Sequence, residues 1–282
     1  RFVLFTEHPE ELKDVLRRIP GIQSFSPAQH FSFTDKKDLL QKIKERAAPL
    51  IIGKTFCVRI RRVGEHAFTS KDLEAEAGSV LYENSKGVDL HHPEVIIHLE
   101  IREKESFLST ESFTGLGGLP PTSSGKVLLL FSGGLDSPVA AVQLLKRGCQ
   151  VDFAFVNLLG QKALNDVARV YNYLAQHYVL GYTPQFFEIP ATNLVEKIKK
   201  DVPPRLRQIA LKIAFYALGE TIARQTGALA LATGEALSQK STQTLHSLRV
   251  IEEKTALPVL RPLLSFDKVE IVRLAEEIGT RA

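Results

Sequence analysis

The hydrophobic positions of residues 1–112 recur in short segments that switch between helical and strand-like spacing. Strand-like patterns occupy residues 1–5, 22–30, 54–60, 95–101 and 106–113. Helical spacing occupies residues 9–18, 35–47 and 71–83, and Ser70 is a plausible N-cap for the last of these helices. We therefore expect a small α+β region.

Beyond residue 126 the pattern changes to apolar strands that alternate with helices. The predicted strands are residues 127–131, 151–156, 185–189, 228–232 and 258–260. The predicted helices are residues 138–147, 163–178, 205–226 and 268–278. Continuous apolar strands alternating with helices indicate an α/β fold, in which a parallel sheet has helices on both faces.

Between the two patterns, residues 113–125 are rich in glycine, proline and serine. This composition supports neither a helix nor a strand, so we expect a linker and a domain boundary here. The chain starts with Arg1 inside a strand-like segment and contains no methionine, so we expect a fragment of a longer protein.

Composition and charge narrow the class of protein. The 282 residues are 44% hydrophobic and 24% charged, with a net charge of +4. No apolar run reaches membrane-spanning length and no secretion signal opens the chain, so we expect a cytoplasmic protein without a membrane partner. Because the net charge is only mildly positive, a polyanion would have to bind a local basic patch. The basic residues between Lys42 and Arg62 could form such a patch.

The strongest chemical signal is the sequence SGGLDSP at residues 132–138, which follows an apolar strand and opens a helix. Gly133 and Gly134 permit a tight turn in which backbone amides approach a phosphate oxygen. Pro138 suits the first turn of a helix, whose N-terminus favours anions.

Side chains of the same loop complete a predicted anion site. Ser132 and Ser137 supply hydroxyl donors, and Asp136 can hold a Mg²⁺ ion that bridges phosphates. The alternative is a glycine turn used only for packing of helix against sheet. The loop lacks the Gly-Lys-Ser/Thr ending of a Walker motif, so transfer of a γ-phosphate is not implied.

SGGLDS resembles the PP-loop of ATP pyrophosphatases, which activate a carbonyl oxygen as its adenylate and release pyrophosphate. Other segments resemble one family of these enzymes, the ThiI-type tRNA 4-thiouridine synthetases, or tRNA sulfurtransferases. These segments are TGEALSQ at 233–239, STQTL at 241–245, LRPL at 260–263, FDK at 266–268 and EIGT at 277–280. In the first half, GKTFCVR at 53–59, with Arg61, Arg62, His66, Phe68 and Ser70 after it, resembles the family's RNA-binding THUMP domain.

The resemblance implies a domain order. Residues 1–20 are expected to be the remnant of an N-terminal ferredoxin-like domain, and residues 10–112 a THUMP domain whose start is not defined. After the linker at residues 113–125, residues 126–282 are expected to form a Rossmann-like PP-loop ATP pyrophosphatase domain with a truncated C-terminus.

The resemblance also implies the reaction. ATP and Mg²⁺ are the expected cofactors, and tRNA is the expected partner. The O4 atom of uridine-8 attacks the α-phosphate, and sulfur from a cysteine persulfide, charged by a cysteine desulfurase, then displaces AMP. Family members are usually homodimers, and some also pass sulfur to a carrier protein for synthesis of the thiamine thiazole.

Site residues follow from the same resemblance. Asp136 is expected to handle metal and pyrophosphate. The expected ATP-binding residues are Leu130, Phe131, Ser132, Gly133, Gly134, Asp136, Ser137, Phe155, Val156, Lys212, Gly234, Gln243, Arg261 and Lys268. The expected tRNA-binding residues are Lys54, Arg59, Arg61, Arg62 and His66.

The two cysteines are not expected to carry sulfur. Cys57 lies within an alternating strand and Cys149 leads into a buried strand, so both resemble small core residues. In the family the persulfide cysteine follows the EIGT segment, so we expect it beyond residue 282. A metal site at His91 and His92 is not expected, because no further ligands have suitable spacing.

Two other functions remain open from the sequence. One is a PP-loop synthetase of the amidotransferase type that adenylates a small molecule, although this would not need the first half of the chain. The other is a tRNA-binding protein whose nucleotide domain has lost its activity, which the intact SGGLDS motif disfavours.

Overall fold

A computed structural model describes residues 2–281, which divide into two units. Residues 2–9 and 24–114 form the first unit, and residues 10–23 and 115–281 form the second. The elements up to residue 114 are α1 (Pro9–Arg18), β1 (Ser24–Phe25), β2 (Gln29–Ser32), α2 (Lys36–Ala47), β3 (Thr55–Val63), α3 (Ser70–Leu81), β4 (Gly87–Val88), β5 (Val95–Arg102), β6 (Glu105–Ser109) and β7 (Phe113–Thr114).

A five-stranded mixed sheet forms the core of the first unit, in the order β2-β6-β5-β3-β4. β3 pairs in parallel with β5 and β4, whereas β5 and β6 form an antiparallel hairpin. The apolar side chains of α2 and α3 are buried against one face of this sheet, with Leu39, Ile43 and Leu73 fully buried. The predicted α+β region is therefore confirmed.

Capping residues set the helix starts in this unit. Asp35 caps α2 by accepting a 3.0 Å hydrogen bond from the backbone N–H of Asp38. Thr69, not the predicted Ser70, caps α3, because its hydroxyl accepts from the N–H of Asp72. The side chain of Ser70 instead accepts a 3.2 Å hydrogen bond from Arg62.

Two strand predictions in this region were wrong. Residues 2–5 form no strand, and Phe2 and Phe5 are exposed. Residues 22–30 form the separate strands β1 and β2, because Pro27 lies between them and has no backbone N–H to donate to a ladder.

The second unit is built on a five-stranded sheet in the order β10-β9-β8-β11-β12, and every pairing described within it is parallel. Its elements are β8 (Lys126–Leu130), α4 (Asp136–Lys146), β9 (Gln150–Asn157), α5 (Gln161–His177), β10 (Phe186–Pro190), α6 (Thr192–Asp201), α7 (Arg207–Thr226), β11 (Ala230–Thr233), α8 (Leu245–Glu252), β12 (Val259–Leu260) and α9 (Lys268–Ile278).

Helices cover both faces of this parallel sheet, as predicted. Residues of α4, α5 and α9 pack on the face that carries Leu129, Phe131 and Phe153. Residues of α7 and α8 pack on the opposite face, which carries Leu128 and Leu231. The carboxyl ends of the strands lie at one edge, where open α/β folds bind their ligands.

Helices α6 and α8 have no counterpart among the predicted helices. α6 is short and has no capping side chain, so neither length nor a start signal marked it in the sequence. α8 has eight residues, although Thr244 caps it. α7 begins at Arg207 rather than residue 205, because Pro204 starts a short 3-10 turn.

Residues 115–125 contain neither helix nor strand and pack against the end of α4. The N–H of Leu119 donates to the carbonyl of Lys146, and that of Ser124 donates to Gly148, both at 2.9 Å. A Cβ atom at Gly118 would lie 1.9 Å from the carbonyl oxygen of Lys146, so only glycine fits there. None of the helices described between residues 2 and 281 has the length and apolar character needed to cross a membrane.

Candidate functional site

The loop of residues 132–137 leaves the central strand β8 and enters α4 at the carboxyl edge of the parallel sheet. Gly133 has a φ of +65°, a left-handed conformation that glycine adopts at low cost. The backbone N–H of Ser132 donates to the hydroxyl of Ser137 at 3.3 Å, and the two hydroxyl oxygens are 3.4 Å apart. The serines therefore close the loop on itself.

This closed loop leaves backbone donors free. Within residues 2–281, no group accepts a hydrogen bond from the backbone N–H of Gly133, Gly134 or Leu135. Gly134 is exposed, and the positive end of α4 begins directly after these residues. Adjacent free amides at a helix N-terminus are a suitable environment for an anion, and for phosphate in particular.

A second glycine holds the loop from the neighbouring strand. Gly234 follows β11, and a Cβ atom there would lie 2.9 Å from the backbone N of Ser137 and 2.9 Å from the carbonyl carbon of Asp136. Backbone atoms cannot move out of the way as a flexible side chain can. The close approach explains why glycine occupies this position and links the TGEALSQ segment to the SGGLDS loop.

Two of the expected site residues form an ion pair at the mouth of the loop. Lys268, the first residue of α9, donates to Asp136, the first residue of α4, with Nζ 2.8 Å from Oδ1. The Lys268 side chain is 55% exposed and that of Asp136 is 21% exposed, so a ligand in solution can reach both. The pair places one carboxylate and one exposed cation at the start of α4.

Lys212 and Arg261 converge on a carboxylate that the sequence analysis did not select. Glu235, two residues after β11, accepts hydrogen bonds from Lys212 Nζ and from Arg261 Nε, the latter at 3.2 Å. It also accepts from the hydroxyl of Tyr216 at 2.7 Å. The only signal for Glu235 in the sequence was its place within TGEALSQ. An acidic residue was not expected there, because it would repel the phosphates of a ligand.

Arg261 was expected to bind phosphate, but the structure surrounds its guanidinium with protein groups. Besides Glu235, its NH1 donates to Glu252 at 2.8 Å and its NH2 donates to the hydroxyl of Tyr216 at 3.3 Å. The side chain is 9% exposed. The structure therefore places Arg261 in contact with Glu235, Glu252 and Tyr216.

Two glutamine side chains in the segment that follows each have one buried polar atom without a partner among the described residues. Gln243, a predicted ATP-binding residue, is 4% exposed, and its Oε1 accepts no hydrogen bond from any residue in the described part of the chain. The Nε2 of Gln239 is likewise unpartnered among residues 2–281. Buried polar atoms are nearly always hydrogen-bonded, so these two side chains are candidates for contact with a ligand.

Four of the expected ATP-binding residues, which lie on β8 and β9 or directly after β8, are divided between opposite faces of the sheet. Phe131 and Phe155 belong to the core on the α4 face, whereas Leu130 packs on the α7 face. Strand alternation places Val156 on the same face as Leu130. Leu130 and Val156 are half-buried, and the two phenylalanines are buried. The side chains of all four cannot contact one base.

Two family models match the chain. A family model described as "Thiamine biosynthesis protein (ThiI)" matches residues 122–282, and a THUMP domain model matches residues 33–111. The chain belongs to the ThiI family. The loop, Gly234 and the Glu235 cluster all lie in the part that the ThiI model covers.

Relatives of this ThiI-family chain carry consistent names. It is 41% identical over 269 residues to a tRNA sulfurtransferase of Pyrobaculum aerophilum, a match that covers 95% of the chain and 55% of that relative. It is 40% identical to a probable tRNA sulfurtransferase of Saccharolobus solfataricus, over 95% of the chain and 71% of that relative. The chain thus spans little more than half the length of some relatives.

Solved structures give the same fold. A crystal structure of a 4-thiouridine synthetase–RNA complex with bound ATP matches 98% of this chain and 73% of its own, at 33% identity and a TM-score of 0.85. A crystal structure from Pyrococcus horikoshii Ot3, at 22% identity and a TM-score of 0.71, matches in fold.

In the THUMP part of this ThiI-family chain, the basic residues of β3 are divided between two faces. Arg59 and Arg61 are exposed and share one face, whereas Arg62 is half-buried beside α3. Arg59 NH2 donates to the carbonyl of Leu90 at 3.0 Å. Among the described residues, none forms a hydrogen bond or ion pair with the Arg61 guanidinium, which leaves it available to a partner.

The other predicted RNA contacts differ in how they are held. Arg62 donates to Ser70 and lies over the ring of Phe68, 5.6 Å from its centroid. His66 Nε2 is 2.8 Å from the carbonyl oxygen of Glu103, and its ring is also in contact with Phe68. Lys54 is exposed at the start of β3. Arg62 and His66 thus have structural contacts, in contrast to Arg61.

Proposed function

We propose that this protein is an ATP-dependent tRNA sulfurtransferase that makes 4-thiouridine at position 8 of tRNA. The observation that carries the proposal is the phosphate cradle of residues 132–137, with free amides, in a chain that also contains a THUMP domain. The named relatives and the 4-thiouridine synthetase with bound RNA and ATP support the same activity.

The residues present fit the phosphates of ATP. The backbone N–H groups of Gly133 and Gly134 have no acceptor among the described residues, and the absence of a side chain at Gly234 allows its backbone to approach the loop closely. Lys268 and Lys212 supply charge that can follow the phosphate chain. On the α7 face, the half-buried Leu130 and Val156 are the side chains available to an adenine ring.

Asp136 is the proposed protein ligand for Mg²⁺. No group of three or more His, Cys, Asp or Glu residues able to hold a metal occurs in residues 2–281. A Mg²⁺ ion at Asp136 would therefore need phosphate oxygens and water for its other ligands, which is the usual way proteins bind Mg²⁺ with nucleotides.

The proposed reaction has two steps. The O4 atom of uridine-8 attacks the α-phosphate of ATP, which forms an adenylated base and releases pyrophosphate. The outer sulfur of a cysteine persulfide then attacks C4 and displaces AMP, and a second thiol cleaves the S–S bond of the adduct, which releases 4-thiouridine and leaves a disulfide. The role of the protein in the first step is to orient the phosphates and to stabilise the charge that develops on them.

Neither cysteine of this chain is proposed as the sulfur carrier. Cys57 and Cys149 are both buried. Burial raises the pKa of each thiol above its ordinary value, which reduces the population of the nucleophilic thiolate. We propose a cysteine desulfurase as the external sulfur donor, with a homodimer as the working form and a carrier protein as a second acceptor of sulfur.

The THUMP part is proposed to hold tRNA through phosphate contacts that carry no sequence information. Arg59 and Arg61 on the exposed face of β3 are the main candidates, with Lys54 at its start. Arg62 and His66 are proposed to support this surface from the structure around Phe68.

The test is pyrophosphate release from ATP and Mg²⁺ with three additions: no RNA, tRNA with uridine-8, and the same tRNA with cytidine-8. Release stimulated by the uridine form alone is the expected result. Release driven by a small carboxylate without RNA would instead indicate a small-molecule synthetase. Binding of both ATP and tRNA without any release would indicate a binding protein.

A further inference from the structure

Glu235 is the centre of a buried polar cluster at the carboxyl edge of the parallel sheet. Its side chain is 8% exposed. One carboxylate oxygen accepts from Lys212, and the other accepts from Tyr216 at 2.7 Å and from Arg261 at 3.2 Å. The hydroxyl of Thr233 donates to this second oxygen at 3.1 Å. Four donors thus meet on one carboxylate, two of them from α7, one from the end of β11 and one from Arg261 directly after β12.

The cluster holds Glu235 as an anion despite its burial. Burial raises the pKa of a carboxyl, but the Lys212 ammonium, the Tyr216 hydroxyl and the Arg261 guanidinium together keep the pKa of Glu235 below its ordinary value. A buried carboxylate with four donors has little freedom to move, because each displacement would break a charged hydrogen bond.

The two cations of the cluster differ in what they can still bind. Three of the five N–H donors of the Arg261 guanidinium bind protein groups, and because the side chain is only 9% exposed, the remaining two are poorly accessible to a ligand. Lys212 is 21% exposed and donates to Glu235. An ammonium has three N–H donors, so Lys212 keeps donors for a ligand.

We propose that Glu235 is a positioning residue that holds the Lys212 ammonium in place for the phosphate chain of ATP. Arg261 and Tyr216 in turn fix Glu235, so Arg261 contributes without touching the nucleotide. This inference rests on the proposed function, because it requires that the site activates ATP. It assigns a role to Glu235 that the sequence did not suggest, and it changes the expected role of Arg261.

A double-mutant cycle on pyrophosphate release tests the proposal. We expect Glu235→Gln, which keeps the side-chain size, to lower kcat by about 10- to 100-fold. In a Lys212→Ala background the same substitution should change kcat by less than about 2-fold, because the ammonium that Glu235 positions is absent. A role in structure alone would lower activity by a similar factor in both backgrounds.

A matched control shows whether the loss of any hydrogen-bonded carboxylate in this unit lowers kcat. Glu220 on α7 also accepts from several donors, including Arg224 and Thr255, but it does not touch Lys212. Glu220→Gln should lower the unfolding temperature while leaving kcat and the KM for ATP near those of the unmodified protein.

Tyr216→Phe provides a milder variant if Glu235→Gln does not fold. It removes one donor to Glu235 and keeps the buried ring. We expect kcat to fall about 3- to 10-fold, and this effect also to disappear when Lys212 is alanine. Equal effects of either variant in both backgrounds, or kcat unchanged in the presence of Lys212, would overturn the proposal. If the unmodified protein releases no pyrophosphate with uridine-8 tRNA, the proposed function fails, and this inference falls with it.

Discussion

The two units hold the cations proposed to bind ATP and RNA in opposite ways. In the second unit, Lys212 is bound to the buried Glu235 and Lys268 is paired with Asp136. In the first unit, Arg61 is exposed on β3, and no described residue pairs with it. Groups that stabilise developing charge must be preorganised, whereas contacts that bind an RNA backbone can be solvated and adjustable. We therefore expect substitutions in the second unit to change the rate of pyrophosphate release, and substitutions on β3 of the first unit to change RNA affinity.

The largest effect is expected from Gly234→Ala. The new Cβ atom would lie 2.9 Å from backbone atoms of Asp136 and Ser137, so the phosphate loop must shift. Misplacement of reacting groups by about 1 Å can cost about 100-fold in rate, and we expect at least this loss in pyrophosphate release.

Gly78→Ala is the control from the other unit. Gly78 lies within α3, and a Cβ atom there meets no atom within 4 Å. This variant should keep full pyrophosphate release and gain about 0.5–1 kcal/mol in the free energy of unfolding. Near-normal release by Gly234→Ala would mean that the close approach to the loop is not needed for catalysis.

Asp136→Asn should have the next largest effect. It removes the charge that pairs with Lys268 and that is proposed to bind Mg²⁺. We expect pyrophosphate release to fall by about 10- to 100-fold, with tRNA affinity unchanged in a filter-binding measurement. Asp166→Asn, which changes an exposed aspartate on α5, is the control and should alter neither quantity. If Asp136→Asn also lowered tRNA affinity, catalysis and RNA binding would not depend on separate units.

Arg61 and Arg62 offer a comparison within one strand. Arg61→Ala should lower tRNA affinity about 3- to 10-fold and reduce the salt slope of binding by about one, because one phosphate contact is lost. Arg62→Ala should instead cost about 1 kcal/mol in the free energy of unfolding, through its lost contacts with Ser70 and Phe68. The reverse assignment of the two effects would contradict the two-face arrangement of β3.

The smallest effect is expected from the cysteines. The ordinary pKa of their thiols is 9.0 and burial raises it in both, so at pH 8 less than about a tenth is thiolate. Labelling by iodoacetamide should be slow until the protein unfolds. Because unfolded thiols ionise at lower pH than the folded ones, stability should fall as the pH rises above 9. Rapid labelling of either cysteine in the folded protein would reopen a role in sulfur transfer.

Sequence patterns predicted those features that depend on neighbouring residues. The parallel sheet, the bounds of α1 and α9 and the position of the SGGLDS loop all follow from local spacing and turn residues. The structure brings Asp136 and Lys268 together from helices 132 positions apart along the chain. No local pattern in the sequence predicted that Asp136 and Lys268 would share a site. That expectation came from the family resemblance.

Other features could not be predicted because they depend on contacts between distant segments. Glu235 acquires its role from Lys212, 23 positions earlier, and from Arg261, 26 positions later. Strand alternation, by contrast, is a local pattern, but the grouping of the expected ATP-binding residues by motif did not use it, and Leu130 and Phe131 lie on opposite faces of the sheet. The same alternation directs Arg61 and Arg62 to opposite faces of β3, because neighbouring residues of a strand point in opposite directions.

The proposed function depends on binding of the ATP phosphates by the free backbone amides of residues 133–135. The most direct measurement is the change in backbone amide NMR shifts of the full chain as ATP and Mg²⁺ are added. We predict the largest changes at Gly133, Gly134 and Leu135, with smaller changes around Gly234 and Gln243. Saturable ATP binding that leaves the amide signals of Gly133 and Gly134 unmoved would contradict the account.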